Sequence, residues 1–306
     1  MSIESPDRLG VYLTLEGGEM VGKNVQAYLL VAVLEAFNDY CANFNIPVRI
    51  PILLVCEPGA VLYSSIERDI DLEWQRNNLK LRERLKMQVA TPDEYLEGYM
   101  QARKVLIDNC IVPFLDENIG GVIISVRDIT SSLVYQGLVG GVSLEYINQL
   151  QTEMIHDVVA DWVFILDIAI EEFTERGRII ASVGRGTEAG EASLDTWDSK
   201  KLEFHKAIYE AYREIAKMSS ISERVLINGQ GSIIEVLARV VWEFERRICG
   251  AEESDIGSKM IRKVLREAGF NLGDLTRFAV QVYEDNPNLL DEMKEIISGY
   301  TRYLKG

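Results

Sequence analysis

The residues with the clearest chemical potential lie near the N-terminus of the chain. There the sequence reads Leu-Glu-Gly-Gly-Glu-Met-Val-Gly-Lys-Asn-Val-Gln, so that Gly17 is followed, after four residues, by Gly22 and Lys23. This is the spacing of a phosphate-binding loop, in which the backbone N–H groups surround an anion and the lysine reaches the outer phosphates. The alternative is a chance Gly-Lys pair in a turn. An apolar strand before the loop, residues 9–15, and a helix after it, residues 25–42, favour a nucleotide-phosphate loop.

The last position of such a loop is normally Ser or Thr, whose hydroxyl holds magnesium, but this chain has Asn24. An amide oxygen can ligate the ion, although the side chain is longer and differently aimed. We expect the following residues to bind the phosphates: Gly17, Gly18, Met20, Val21, Gly22, Lys23, Asn24 and Val25.

Length, composition and charge restrict the class of protein. A chain of 306 residues with 47% hydrophobic and 26% charged residues is typical of a globular protein with a large core. Its net charge of −16 argues against a general nucleic-acid binder, although a local basic cluster can still bind a small phosphorylated substrate. No apolar run is long enough to span a membrane, and no secretory signal is visible. The four cysteines have no paired spacing. We therefore expect a cytoplasmic protein with no membrane or nucleic-acid partner.

Apolar runs and helical periodicity place this loop in an α/β fold. Strands are predicted near residues 9–15, 46–57, 122–126, 162–166 and 224–228, and helices near 25–42, 63–89, 92–115, 143–156, 171–176, 202–218 and 232–248. Strands that alternate with helices predict a mostly parallel sheet with helices on both faces. The expected architecture is a three-layer P-loop NTPase-type fold.

Two segments stand apart from this alternation. Residues 177–192 are rich in Gly and Arg, as a mobile lid over phosphates requires, although a plain surface loop is the alternative. Beyond residue 250 only three short helices are predicted, near 258–268, 275–283 and 289–304. We therefore divide the chain into a P-loop domain, residues 1–249, and an all-α C-terminal extension, residues 250–306.

The order of the motifs over residues 9–248 resembles that of the thymidylate kinase family. The matching features are the loop with Glu19 at its acidic position, Glu57-Pro58-Gly59 after the second strand, Arg103, Arg127 after the strand at 122–126, Tyr135-Gln136-Gly137, the strand-to-lid residues Asp167, Glu171 and Arg176, and Phe204-His205 with Tyr212 and Ala216 after the lid. The resemblance implies transfer of the γ-phosphate of ATP to dTMP with Mg²⁺, usually by a homodimer.

The resemblance also implies roles for individual residues. The catalytic residues would be Lys23, Arg127, Arg178 and Arg185, the last two from the lid. The dTMP site would be formed by Glu19, Glu57, Pro58, Tyr99, Arg103, Arg127, Ser132, Tyr135 and Gln136. Phosphoryl transfer depends on positioning and charge neutralisation, which suits lysine and arginine, and Gln136 has both the donor and the acceptor that a pyrimidine edge requires.

Four positions depart from the family pattern. Asn24 replaces the magnesium-binding Ser or Thr, and Val126 replaces an Asp, although Asp128 follows two residues later. Cys56 and Thr196 stand where the family has arginine. We expect Asn24 and Asp128 to be the metal ligands. Loss of one electrostatic partner costs about 10²–10³ in rate elsewhere, so four together could silence the chemistry.

Three functions therefore stay open. The first is an active dTMP kinase, and the second is a degenerate relative that binds nucleotide without transfer and uses its helical extension to bind a partner. The third is another nucleoside monophosphate kinase, since base preference depends on the shape of a pocket that the sequence does not show.

Overall fold

A six-stranded sheet organises the fold, with strand order β3-β2-β4-β1-β5-β6. The computed structural model describes residues 9–57, 59–66, 73–78, 80, 91–155, 158–184, 202–220, 222–252 and 254–305. The strands are β1 (Val11–Glu16), β2 (Ile52–Cys56), β3 (Ala60–Ser64), β4 (Val122–Val126), β5 (Trp162–Asp167) and β6 (Glu223–Asn228). All neighbouring pairs are parallel except β2 with β3. The predicted mostly parallel sheet is confirmed.

Both faces of the sheet are buried, because alternate residues of each strand join two different apolar clusters. In β1, Val11, Leu13 and Leu15 belong to one cluster, whereas Tyr12 belongs to the other. The carboxyl ends of the five parallel strands therefore lie along one edge, where α/β sheets bind ligands.

Helices cover the two faces. They are α1 (Lys23–Asn43), α2 (Pro92–Leu106), α3 (Val112–Glu117), α4 (Ile129–Ser132), α5 (Leu144–Ile155), α6 (Ile170–Gly184), α7 (Leu202–Ile215), α8 (Ile233–Gly250), α9 (Ile256–Glu267), α10 (Asp274–Asp285) and α11 (Leu289–Lys305). A π-helical turn, Ile107–Ile111, joins α2 to α3, and a second, Leu133–Leu138, follows α4. α2 begins with a capping box, in which Thr91 and Glu94 satisfy each other's backbone N–H groups.

Strand β3 was not predicted. The sequence was interpreted as helix from Tyr63, but Ala60–Ser64 runs back along β2 as an antiparallel edge strand. Gly59, with a φ of 93°, lies in the reversal between them. Helix is confirmed for residues 73–78, and residues 81–89 of that prediction lie outside the described part of the chain.

Helix α6 also differs from the prediction, because it continues to Gly184 where a lid loop was expected from residue 177. Isolated glycines cost a helix only about 1 kcal/mol each relative to alanine, and no proline interrupts this segment. The remainder of the expected lid, residues 185–192, falls outside the described residues.

The three C-terminal helices pack on the face that carries α1. Ile261, Leu275 and Met293 belong to the same apolar cluster as α1, and the ring of Phe270 lies 5.1 Å from that of Phe37. The buried carboxylate of Glu245 on α8 accepts the N–H groups of Gly273, Leu275 and Thr276 at the start of α10. All three predicted C-terminal helices are confirmed, and the boundary near residue 250 stays a prediction.

Candidate active site

The loop between β1 and α1 lies at the carboxyl edge of the sheet. Gly17 and Gly22 have φ values of 132° and 93°, and a Cβ on Gly17 would lie 2.4 Å from the carbonyl oxygen of Leu166. Gly22 caps α1 without a side-chain hydrogen bond, and the first turn of α1 has no acidic residue. The first N–H groups of α1 are therefore left for an anion to bind.

Lys23 lies inside this loop with its ammonium group turned back on the backbone. Its Nζ donates to the carbonyl oxygens of Gly17 at 3.0 Å and Gly18 at 2.6 Å, and the residue is only 6% exposed. An anion bound at the loop would compete with these two carbonyl oxygens for the hydrogen bonds of the Lys23 ammonium group. The contact between Lys23 and phosphate stays a prediction.

Arg127 faces the loop from the end of β4. Its Nη2 donates to Glu19 Oε1 at 2.6 Å, and its Nη1 donates to Ser131 Oγ at 3.1 Å. The Tyr135 hydroxyl donates to the same Glu19 oxygen at 2.8 Å, and the guanidinium lies 5.4 Å from the Tyr135 ring centroid. Burial alone would raise the pKa of Glu19, but Arg127, Lys23 and the Tyr135 hydroxyl lower it to about 2. The structure thus joins three of the predicted substrate residues.

Arg103 and Glu57 form a buried ion pair beside this group. The Arg103 guanidinium donates through Nε to Glu57 and through Nη2 to the carbonyl oxygen of Asp128 at 3.1 Å. The two side chains are 5% and 2% exposed. Burial raises the pKa of Glu57, although Arg103 opposes this shift. Arg103 therefore already has a protein carboxylate as its partner, and its contact with dTMP stays a prediction.

The two expected metal ligands have different surroundings. Asn24 is exposed at the first turn of α1, where its amide faces solvent. Asp128 is 4% exposed, and its Oδ1 accepts the Thr130 N–H at 2.7 Å as the cap of α4. Within the part of the chain that the structure describes, no group of three His, Cys, Asp or Glu residues is arranged to hold a metal ion. The surroundings of Asn24 fit a contact to a nucleotide-bound ion, whereas those of Asp128 do not.

The other predicted substrate residues lie on α2, on α4 and on the π turn after α4. Tyr99 is half-buried on α2 and stacks on Tyr95, with 6.0 Å between ring centroids. Ser132 and Gln136 are buried in α4 and the π turn that follows it. Ser131, which was not chosen from the sequence, contacts Arg127 in place of Ser132.

The arginines expected in the lid are only partly described. Arg176 donates to the carbonyl oxygens of Met20 and Gly229 and to Glu172, so it ties α6 to the phosphate loop. Arg178 lies in α6, but its side chain, like the whole of Arg185, Pro58 and Thr196, is outside the described structure.

Glu16 is the principal residue that the sequence interpretation left out. It is the last residue of β1, has no exposed surface, and accepts hydrogen bonds from Asp128, Ser131 and Tyr212. Burial, together with the nearby Asp128, raises the pKa of Glu16 to about 7. A carboxylate at the end of a strand rich in apolar residues was the signal that could have identified it.

Comparison with known proteins gives a consistent result. The sequence profile of the family described as Thymidylate kinase matches residues 76–240. The thymidylate kinase of Roseiflexus sp. (strain RS-1) is 28% identical over 236 residues, which cover 76% of this chain and 92% of that protein. The thymidylate kinase of Rhodopseudomonas palustris (strain BisB18) is 28% identical over 247 residues, which cover 81% and 94%.

A solved structure shares the fold. The crystal structure of thymidylate kinase from Ehrlichia chaffeensis superposes with a TM-score of 0.50 at 20% identity, over 77% of this chain and 98% of that one. Among the described helices, none combines the length and the apolar character that a membrane span requires.

Proposed function

Because the chain belongs to the thymidylate kinase family, we propose that it transfers the terminal phosphoryl group of ATP to dTMP, yielding ADP and dTDP. The observation that carries this proposal is the contact between Arg127 and Glu19. It places a guanidinium from the end of β4 directly beside the loop that holds Lys23. In this proposal the loop binds the donor phosphates and Arg127 binds a second phosphorylated molecule beside it, as phosphoryl transfer requires.

In this proposal the loop residues 17–25 bind the ATP phosphates through their N–H groups and through Lys23. Lys23 exchanges its bonds to the Gly17 and Gly18 carbonyls for bonds to phosphate oxygens. Arg178, which lies in α6, and Arg185 would contribute positive charge to the transferring group. These cations neutralise charge on the phosphates, which is the main demand of the reaction.

The acceptor dTMP would lie against Arg127 and the residues around it. Arg127 binds the acceptor phosphate. Arg103, which is paired with the buried Glu57, adds its positive charge to the site without leaving this ion pair. Tyr99 or Tyr135 packs on the base, and Gln136 binds its edge. Glu19, Pro58 and Ser132 complete the proposed pocket.

Magnesium would enter with the nucleotide, with the Asn24 amide oxygen as its protein contact. Its contribution is to neutralise charge on the phosphate oxygens. The buried Asp128 carboxylate remains engaged as a helix cap in this arrangement. The variant Asn24→Ser, which restores a hydroxyl ligand, tests this position. We expect added Mg²⁺ to increase the ATP affinity of this variant more than that of the wild-type protein, measured by calorimetry at several Mg²⁺ concentrations.

The test of the reaction is an ADP-release assay with dTMP, dUMP, dCMP, dAMP and dGMP as acceptors. We expect turnover with dTMP at the highest kcat/KM, and its loss in Lys23→Met. Folded protein that releases no ADP with any of the five would refute the kinase proposal. A higher kcat/KM for another base would favour a different monophosphate kinase.

A second candidate, nucleotide binding without transfer, is favoured by the residues at two positions. Asn24 lacks the magnesium-binding hydroxyl, and Val126 is a buried strand residue with no carboxylate. Under this alternative the wild-type protein binds ATP in calorimetry but does not turn over, and Asn24→Ser with Val126→Asp raises activity from zero. Rapid turnover by the wild-type protein would exclude it.

Two further properties go with the kinase proposal. We propose that the protein is a homodimer and acts in the cytoplasm. Light scattering coupled to size exclusion tests the first, since a monomer has a mass of 34.6 kDa. Cell fractionation tests the second.

A further inference from the structure

The buried carboxylate of Glu16 connects the start of the phosphate loop to the turn that carries Arg127. Glu16 Oε1 accepts the N–H groups of Asp128 at 2.8 Å and Ser131 at 3.0 Å. The Ser131 hydroxyl lies 2.9 Å from both carboxylate oxygens, and the Tyr212 hydroxyl donates to Oε2 at 2.8 Å. Three of these four donor groups belong to the segment that immediately follows Arg127.

That segment has an unusual backbone. Arg127 has a φ of 74°, which places a residue other than glycine in the left-handed region. Such a conformation persists only where the surroundings determine it. The N–H of Arg127 donates to the Leu15 carbonyl, and the next residue donates to Glu16, so the end of β1 holds both sides of the strained position.

The side chain of Arg127 depends on the same contacts. Its Nη1 donates to the Ser131 hydroxyl, which is itself bonded to Glu16, while its Nη2 reaches Glu19. A continuous set of hydrogen bonds therefore leads from Glu16 through Ser131 to Arg127 and back to the loop at Glu19. Glu16 has no surface of its own from which to contact a substrate.

A carboxylate is the group that suits this position. Two N–H groups and the Tyr212 and Ser131 hydroxyls all converge on it. Above its raised pKa of about 7, the ionised carboxyl offers acceptor sites on both oxygens. Glutamine would keep one acceptor oxygen but present an NH₂ group to the Tyr212 and Ser131 hydroxyls. Alanine would leave the N–H groups of Asp128 and Ser131 buried without an acceptor.

We propose that Glu16 is the positioning residue for Arg127: by fixing the left-handed turn at 127–131, it aims the guanidinium at the acceptor phosphate. The kinetic part of this inference rests on the proposed function, whereas the structural part does not. Glu16 acts through Arg127, and it touches neither ATP nor dTMP.

The experiment compares Glu16→Gln with the matched variant Tyr212→Phe. This variant removes the hydroxyl that contacts Glu16 Oε2 and, at 3.2 Å, Ser131 Oγ, but it leaves both N–H contacts to the turn and the bond between Ser131 and Arg127. The first readout is the Nε–Hε resonance of Arg127 in ¹⁵N NMR spectra, assigned by its loss in Arg127→Lys. We expect Glu16→Gln to shift or broaden this resonance, and Tyr212→Phe to leave it within the linewidth. This readout needs no turnover, so it decides the positioning role even if the kinase proposal fails.

The second readout, the KM values for dTMP and ATP, separates a positioning role of Glu16 from a loss of structure that affects both substrates. A displacement of the guanidinium by about 1 Å can lower the catalytic rate by roughly 10²-fold. Because the displaced group is the one proposed to bind the acceptor phosphate, we expect Glu16→Gln to raise the KM for dTMP by about 10- to 100-fold. The KM for ATP should stay within threefold, because Lys23 is held by other contacts. An unchanged Arg127 resonance, or an equal rise in both KM values, would overturn the proposal.

If Glu16→Gln does not fold, Ser131→Ala decides the question, because it removes the hydroxyl that joins Glu16 to Arg127. A shifted Arg127 resonance with a selective rise in the KM for dTMP would support the proposal. No change in either would overturn it.

Discussion

Replacement of Arg103 by methionine tests how much the buried ion pair between Arg103 and Glu57 contributes to the stability of the protein. The Arg103–Glu57 pair is almost fully buried, with side chains 5% and 2% exposed. Removal of one partner from a buried pair leaves an uncompensated charge and typically costs about 3–5 kcal/mol. The lost bond to the Asp128 carbonyl adds to this cost. We therefore expect Arg103→Met to lower the free energy of unfolding by about 3–5 kcal/mol at pH 8.

The pH dependence of this loss identifies Glu57 as its source. Burial raises the folded-state pKa of Glu57 above its usual value, even though Arg103 lowers it. A raised carboxyl pKa means that the folded state loses stability as the pH increases from the unfolded-state pKa through the folded-state pKa. Without Arg103 this interval extends to higher pH. The destabilisation should therefore be smaller at pH 5.5, where Glu57 can take up a proton, than at pH 8.

The assay is urea unfolding followed by circular dichroism at both pH values. The double variant Arg103→Met/Glu57→Gln removes the stranded charge and should recover at least half of the loss. Arg213→Met is the control, since its pair with Asp167 is 41% and 26% exposed and should contribute less than about 1 kcal/mol. A double variant as unstable as the single one, with equal losses at both pH values, would contradict the reasoning.

Three further predictions concern single residues. Lys23→Met should lower kcat by about 10²–10³, measured against the exposed Lys263→Met, and an equal loss in both variants would contradict it. Glu19→Gln should reduce the loss of stability at acid pH. The fall in the pKa of Glu19 from 4.5 to about 2 corresponds to ~3 kcal/mol of folding free energy, which is present above pH 4.5 and is lost as the pH falls towards 2. The variant lacks this contribution, so its free energy of unfolding should change less over that range. Acid titrations that superpose for wild-type and variant protein would rule this out. Glu245→Gln should lower the free energy of unfolding by about 1–3 kcal/mol because it weakens the cap of α10, whereas the exposed Glu284→Gln should not; urea unfolding measures both.

The central strands were predictable because each is a short apolar run buried on both faces. β4 was predicted without error in its bounds, and β1 and β5 within two residues. β3 was missed because an edge strand is stabilised by backbone pairing with β2, which its own side chains do not reveal. α4 was missed for a similar reason, since its start depends on the Asp128 cap and on the left-handed turn at Arg127.

The site was predictable in its positions more than in its contacts. The spacing of Gly17, Gly22 and Lys23 indicated the loop, and the ends of β2 and β4 indicated where Glu57 and Arg127 would lie. The burial of Arg103 against Glu57 depends on residues 46 positions apart, which local sequence does not specify. The role of Glu16 was hidden because its partners come from α4 and α7. Whether the predicted residues bind nucleotide stays a prediction.

The packing of Phe270 against α1 has a consequence for sequence divergence. The Phe37 and Tyr40 rings of α1 are covered in part by Phe270, and Tyr40 also contacts Phe278 of α10. Homologous chains that stop before these helices would present both positions to water. We expect such chains to carry smaller or hydrophilic residues at the positions of Phe37 and Tyr40, so that aromatic identity there covaries with the presence of the C-terminal helices.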